Sequence, residues 1–318
     1  MRSEADGARL AVPCGDDFAA GLWRLADPKI SLASFASMAL GAALAARDGE
    51  LAWGWLGLTV AGIFLIEVAK NASGEIFDFD SGADLAVAAA DRSPFSGGKR
   101  VLVDGLLTRV QTSAVAAAAY AMGAAAGLVI AAAREPRVLW LGIAGMALAY
   151  FYQAPPLKLS YRGLGEAAVA LAYGPLVCAG TYLVQTGRVT SSVVLVSLPL
   201  GALITAFLWV NEFPDYEADR GAGKRTLVVR LGRPRAARAF AAIVAAAFVL
   251  LALLPAWGLP RGLLLGLLGA PPAVAAAWRL LREPELTARV VPAQAWTLSS
   301  FVLAAAGAAL GLITIRTP

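Results

Sequence analysis

The sequence predicts an all-α, polytopic membrane protein of about nine transmembrane helices, and three observations predict it. Of 318 residues, 59% are hydrophobic and only 15% are charged, against about 25% charged in a soluble domain. Apolar runs recur along the chain, each near the ~20 residues needed to cross the hydrocarbon layer. Basic residues collect in alternate connecting segments. The chain has no histidine, which removes the usual general base and a usual zinc ligand. Cys14 and Cys178 stand far apart in different settings, so no disulfide framework is expected. The net charge of +5 fits basic loops on one side of a bilayer, and nucleic acid is not expected as a partner.

Residues 1–29 are polar and carry Glu4, Asp6, Asp16, Asp17 and Asp27. A signal peptide needs a basic start and an apolar core with few acids. The stretch is expected to be a cytoplasmic lead into a single transmembrane domain spanning 1–318. Apolar runs follow near 30–46, 52–74, 109–133, 138–153, 165–186, 191–212, 235–256, 262–281 and 293–315. Pro271 and Pro272 fall in the middle of the eighth run, which predicts a kink there. With the N-terminus inside, most of the 27 Lys and Arg fall on the inner side. That topology puts both acidic stretches described below, and the Lys158–Arg162 loop, on the cytoplasmic face. Small residues crowd 121–127 and 304–311, where they let helices pack closely. The acidic stretches end the second and sixth spans, and that spacing suggests a duplicated four-span unit.

The chemistry is expected at those two span ends. Thr205 to Thr226 reads TAFLWVNEFPDYEADRGAGKRT. Asn211, Asp215 and Asp219 sit at i, i+4 and i+8, one face of a continuous helix. Lys70 to Asp84 reads KNASGEIFDFDSGAD. There Asn71, Glu75 and Asp78 sit at i, i+4 and i+7, with Asp80 and Asp84 beyond and Gly82 expected to break the helix. A basic loop follows each stretch: Arg92, Lys99 and Arg100 after the first, Lys224, Arg225 and Arg230 after the second. Carboxylates at the end of a membrane helix are costly. Paired clusters of them point to a hard divalent cation, and Mg²⁺ takes oxygen ligands and substrate phosphates. Two such clusters suit two or three ions on either side of one diphosphate. Lys158, behind a double proline, is either a positive-inside anchor or a point charge for a departing diphosphate. Arg92, Lys224 and Arg225 carry the same two readings. Ser96-Gly97-Gly98 is too short to predict a phosphate cradle. Phe77, Phe79, Tyr150, Tyr152, Trp209, Phe213 and Tyr216 crowd the acidic ends, as an interfacial belt or as π faces toward a cation.

These motifs resemble the UbiA superfamily of intramembrane prenyltransferases. NEFPDYEADRGAGKRTLVVRLG at 211–232 is similar to that family's N-x-x-x-D-x-x-x-D followed by GKRT. NASGEIFDFDSGAD at 71–84 and YFYQAPPLKLSYRGLGE at 150–166 resemble its menaquinone-pathway branch. Gly74 stands where that branch usually has Asn, and Glu75 where it has Asp. The resemblance implies nine helices around a central cavity under a cytoplasmic cap in the cell membrane. It implies Mg²⁺ held by Asn71, Glu75, Asp78, Asn211, Asp215 and Asp219. Asp78, Asp215, Asp219 and Lys158 are then catalytic, with Arg92, Tyr150, Tyr152, Lys158, Lys224 and Arg225 on the substrates. The implied reaction moves a polyprenyl group from its diphosphate to an aromatic acceptor. The branch favours 1,4-dihydroxy-2-naphthoate, with loss of carbon dioxide, in menaquinone biosynthesis. Hydroxybenzoate, homogentisate, a chlorin or a glycerol phosphate ether are the alternatives. A cation-coupled transporter is the rival from another class, but it would place its charges nearer mid-membrane on broken helices. A non-catalytic relative is the third reading, motivated by Glu75.

Overall fold

Among the described residues there are fourteen α-helices, with 3₁₀ and π turns between them and no strand. The computed structural model describes residues 15–49 and 51–315. The first fourteen residues of the polar lead, Cys14 among them, lie outside these.

The described part of the lead is a helix, α1 (Gly15–Ala26), and it turns at Asp27 directly into α2 (Pro28–Asp48). Pro28 opens α2, where a missing N–H costs nothing. Leu25 of α1 is fully buried in a small core with Ala72, Val101, Leu107 and Ala116. α3 (Trp53–Asp80) is a single 28-residue helix ending at the first acidic stretch. Gly82 breaks it with φ +80°, as the sequence predicts.

Short α4 (Ala83–Ala86) and a long loop lead to α5 (Arg109–Ala133), which starts on a Thr108–Gln111 capping box. α6 (Val138–Phe151) has 14 residues. At 1.5 Å per residue it is shorter than the hydrocarbon layer. Among the described residues eight helical segments are long and apolar enough to cross, and α6 is the ninth, short one. The sequence-based count of nine therefore holds only if α6 is included.

The fifth run is α7 (Gly165–Leu171), a π turn over Ala172–Leu176 and α8 (Val177–Thr186). Pro175 lies inside the π turn, where it removes a backbone donor. α9 (Ser191–Asn211) carries the second acidic stretch to its end. α10 (Tyr216–Gly221) and α11 (Leu227–Leu231) lie beyond it, before α12 (Arg233–Leu253). The eighth run changes helix type just before its two prolines. It is a 3₁₀ stretch, Arg261–Gly269, and Pro271 and Pro272 then sit in the first turn of α13 (Ala270–Arg282), the position a helix tolerates best. That 3₁₀ stretch lies backbone-to-backbone on α14 (Thr287–Thr314). A Cβ on Gly262 would come within 2.1 Å of the Gly311 carbonyl oxygen. The small-residue stripe is thus a packing device.

Candidate functional site

The ends of α3 and α9 meet under loops 82–108, 152–164 and 212–232. Asn71, Asp78 and Asp84 from the first stretch line one cavity with Asn211, Asp215 and Asp219 from the second. Lys224 joins the two sides. Its ammonium is 3.3 Å from Asp219 Oδ1 and 3.9 Å from Asp78 Oδ2. The two carboxylate oxygens are therefore separated by no more than the sum of those distances.

Asp78 is held from other elements. The Tyr161 hydroxyl donates to its Oδ1 at 2.8 Å, and Gln153 Nε2 donates to its Oδ2 at 2.6 Å. The Asn71 amide nitrogen is committed to the Leu25 carbonyl at 2.8 Å, which leaves its oxygen as the available acceptor. Asp215 Oδ2 accepts from the Gly97 N–H at 3.1 Å. The Ser96–Gly98 loop thus serves a carboxylate of the opposite cluster. Gly98, at φ +73°, lies against Asp84, whose carboxylate would clash with any added Cβ.

The second cluster does not lie on the one continuous helix that the spacing predicts. α9 ends at Asn211, turns follow, and α10 starts at Tyr216. Pro214 is the reason, since it offers no N–H and pushes the residue before it out of helical space. The three side chains line the same cavity all the same.

These acids repel one another. Burial pushes the Asp84 carboxyl up to about 8, and Asp78 and Glu75 add to the shift. Burial followed by Asp219 pushes Asp215 up to about 7. Burial alone would lower Lys224, but Asp219 and Asp78 outweigh it and hold the ammonium well above its usual value. Two buried oxygens, Asn211 Oδ1 and Asp215 Oδ1, have no hydrogen-bond partner. A donor set of crowded carboxylates and amide oxygens, with no imidazole or thiolate, fits Mg²⁺. Among the described residues no three acids converge tightly enough to cage a metal alone. Mg²⁺ ordinarily takes one or two carboxylates and completes its shell with water and substrate phosphate, so this arrangement suits it.

Not every residue expected at the site reaches the cavity. Glu75 lies off it and accepts from the Leu102 N–H at 2.9 Å. Tyr150 is 41% exposed and packs edge-on against Phe77, Tyr120 and Phe151. Lys158 lies 5.2 Å from the Tyr161 ring centre, outside the cavity wall. The Arg225 side chain is exposed, and its backbone binds instead: the N–H donates to the Tyr161 carbonyl and the carbonyl accepts from Arg230 Nε. Arg92, Tyr152 and Lys224 do line the cavity. Gln153, Tyr161, Gly97 and Lys70 touch the site or line the cavity without a sequence signal that singled them out.

Two departures from the motif now have a structural setting. A Cβ on Gly74 would sit 2.1 Å from Gln153 Oε1. The Gln153 carboxamide thus occupies the space beside Asp78 that an Asn at position 74 would enter. Gly74→Ala is expected to leave the helix intact but to push Gln153 off Asp78, lowering turnover about 2–10-fold, the worth of one hydrogen bond. In a Gln153→Ala background the same change should cost nothing, and a full additive loss would refute the coupling. Glu75→Asp should shorten the arm that holds Leu102. The expected result is about 1 kcal/mol less stability, read by thermal unfolding, and no gain in turnover.

The cavity encloses about 900 Å³. Its acidic head lies at the cap, and it runs down between α3, α5, α6 and α8. Leu128, Leu139, Ile143, Met146, Leu176 and Val184 are among its apolar lining residues. Glu67, Lys70, Tyr152 and Tyr173 are polar residues of the same lining.

Known proteins match this arrangement. The sequence model described as the UbiA prenyltransferase family matches residues 34–298. The chain is 27% identical over 252 residues to a 1,4-dihydroxy-2-naphthoate octaprenyltransferase of Bacillus subtilis, covering 78% of each chain. It is 29% identical over 268 residues to the Escherichia coli protein of that name, covering 81% of this chain and 84% of the relative. An apo UbiA homolog from Aeropyrum pernix K1 superposes with TM-score 0.64 at 20% identity, over 87% of this chain and 96% of that one. A UbiA homolog from Archaeoglobus fulgidus bound to GPP and Mg²⁺ superposes with TM-score 0.62 at 16% identity, over 93% of this chain and all of the other.

Proposed function

The chain belongs to the UbiA prenyltransferase family and is a prenyltransferase of the membrane, and on that premise we propose that it joins a polyprenyl diphosphate to 1,4-dihydroxy-2-naphthoate with Mg²⁺ as cofactor. The observation that carries this reading is the single cavity: two acidic clusters at its head and an apolar chamber below them. An amphiphile with a polyanionic head and an isoprenoid tail matches both ends. The naphthoate acceptor is supported by the naphthoate prenyltransferases that the chain resembles over four-fifths of its length.

Bound Mg²⁺ would supply positive charge to a departing diphosphate. Asn71, Asp78, Asn211, Asp215 and Asp219 offer the oxygens that would hold it, and Asp84 adds negative charge beside them. Tyr161 and Gln153 fix the Asp78 carboxylate, so little reorganisation is needed when charge develops. Lys224 stands between the clusters, where an ammonium meets diphosphate oxygen as a point charge. The apolar chamber holds the tail and keeps water from the allylic carbon. The allylic C–O bond breaks with its pair going to the diphosphate. The ring carbon that bears the carboxylate bonds to the allylic carbon, and carbon dioxide leaves its bonding pair in the ring. With the cap on the cytoplasmic face of the cell membrane, the diphosphate head and the naphthoate reach the site from inside.

The test is a matrix of prenyl diphosphates against acceptors, with the lipid product read by mass spectrometry. Prenylnaphthoquinol from 1,4-dihydroxy-2-naphthoate supports the assignment, and product only from hydroxybenzoate or homogentisate removes it. Mg²⁺-dependent diphosphate release separates the enzyme from a transporter. Metal affinity should also depend on pH. Asp215 and Asp84 hold protons up to about 7 and about 8 without metal, and Mg²⁺ must displace them. Apparent Mg²⁺ affinity is therefore expected to rise with pH across that interval. A flat profile, measured calorimetrically, would show that these two acids do not meet the ion.

A further inference from the structure

Lys70 and Glu67 face the cavity from α3 below the metal-binding head, and the reaction as derived uses neither. They sit one turn apart, at i and i+3, and so neighbour each other on the helix surface. At about 100° per residue, Lys70 lies near the middle of the α3 face that lines the cavity, the face that also carries Ile63, Ile66 and Thr59. Lys70 pairs with no carboxylate among the described residues. Its ammonium lies 4.8 Å from the centre of the Tyr152 ring. Glu67 is only 8% exposed. Its Oε2 accepts from Ser34 at 3.0 Å. Its Oε1 has no hydrogen bond of good geometry, although the Tyr173 hydroxyl is close enough to interact with the carboxyl.

An ionisable pair inside a membrane helix costs several kcal/mol and normally marks a pathway or a ligand. The pair lines a cavity whose lining below the metal-binding head is otherwise largely aliphatic. An isoprenoid tail has no use for an ammonium and a carboxylate. The second substrate does.

We infer that Lys70 and Glu67 form the recognition site for the acceptor, and that they select an aromatic acid bearing a neighbouring hydroxyl. Lys70 pairs with the carboxylate, Glu67 Oε1 accepts from the hydroxyl, and Tyr152 packs beside the ring. The inference rests on the transferase reading and adds the residues that recognise the acceptor. It also separates substrate from product, because an acceptor that loses its carboxylate on transfer no longer pairs with Lys70.

The test is equilibrium binding to the purified full chain in detergent. The probes are fluorescent 1-hydroxy-2-naphthoate and 1-naphthol, which lacks the acid. The wild type should bind the acid more tightly than the naphthol. Lys70→Met should weaken the acid about tenfold or more, the worth of one charge-assisted hydrogen bond, and leave 1-naphthol unchanged. Lys70→Arg should keep most of the acid affinity, and Glu67→Gln should weaken both hydroxyl-bearing probes. Equal affinity of the wild type for both probes overturns the proposal, whatever the variants do. So does an equal loss of both probes in Lys70→Met, or a loss of geranyl diphosphate binding in that variant. Prenyl transfer is measured alongside. Discrimination without transfer would remove the proposed reaction and leave this site standing, whereas transfer without discrimination would do the reverse.

Discussion

Asp215→Asn should lower prenyl transfer about 10²–10³-fold, the range seen when one group that stabilises developing charge is removed, and should leave the protein as stable as before or more so. The substitution keeps shape and keeps an oxygen to accept from the Gly97 N–H. What it removes is the charge on a buried carboxylate whose other oxygen has no partner in the protein. Asp219 and Asp78 raise the cost of that charge when no cation is present. Neutralising it relieves repulsion, so the thermal midpoint measured with chelator present should hold or rise. A purely structural role predicts the opposite pairing, with activity and stability falling together. Asp80→Asn is the control. Asp80 pairs outward with Arg109, and its loss should leave turnover near the wild type. Undiminished activity in Asp215→Asn would falsify the assignment of the second cluster to the metal.

The membrane architecture was legible because hydropathy is a property of each segment by itself. Eight long apolar helices lie where the apolar runs do. The ends of segments were harder, since they depend on what each proline does. Pro271 and Pro272 read as a kink but start a helix, and Pro214 splits a motif that reads as continuous. At the site, the two acidic stretches were visible because oxygen-bearing residues recur at helical spacing. Their partners were not. Gln153 and Tyr161 reach Asp78 from 75 and 83 residues away, and no spacing within α3 points to them. The centre of the functional face was also misplaced. Asn71, Glu75 and Asp78 span about 60° of the helix, and the sequence puts the middle of that arc toward the ligand. The cavity instead lies to one side, around Lys70, so Asn71 and Asp78 are its edge. Glu75 falls beyond that edge, where the loop carrying Leu102 covers it. Which side of a polar stripe faces a ligand is decided by the neighbouring elements, and that information is not local.

Lys224→Met is the complementary experiment, because it removes the cation and leaves the acids. Lys224 is the one side chain whose charge lies within 4 Å of both clusters among the described ion pairs. Methionine keeps most of its length and volume, so the cavity wall should survive. Without the ammonium, Asp78 and Asp219 face each other inside the cap without the cation that pairs with both. Removing one partner of a buried ion pair typically costs about 3–5 kcal/mol, and the metal-free variant should unfold at a clearly lower temperature than the wild type. Mg²⁺ can take over part of that role, so adding it should raise the variant's midpoint by more than it raises the wild type's. Catalysis should not be rescued in the same way. The diphosphate loses a point charge that no metal-bound water reproduces, and kcat/KM for the prenyl diphosphate should fall roughly 10²-fold even at saturating Mg²⁺. The two readouts divide the residue's roles: a midpoint that Mg²⁺ restores reports the balance of charge between the clusters, and a persistent loss of kcat/KM reports contact with the donor. If the variant matched the wild type in both, the short distances from Lys224 to Asp78 and Asp219 would be incidental, and the joining of the two clusters would need another cause.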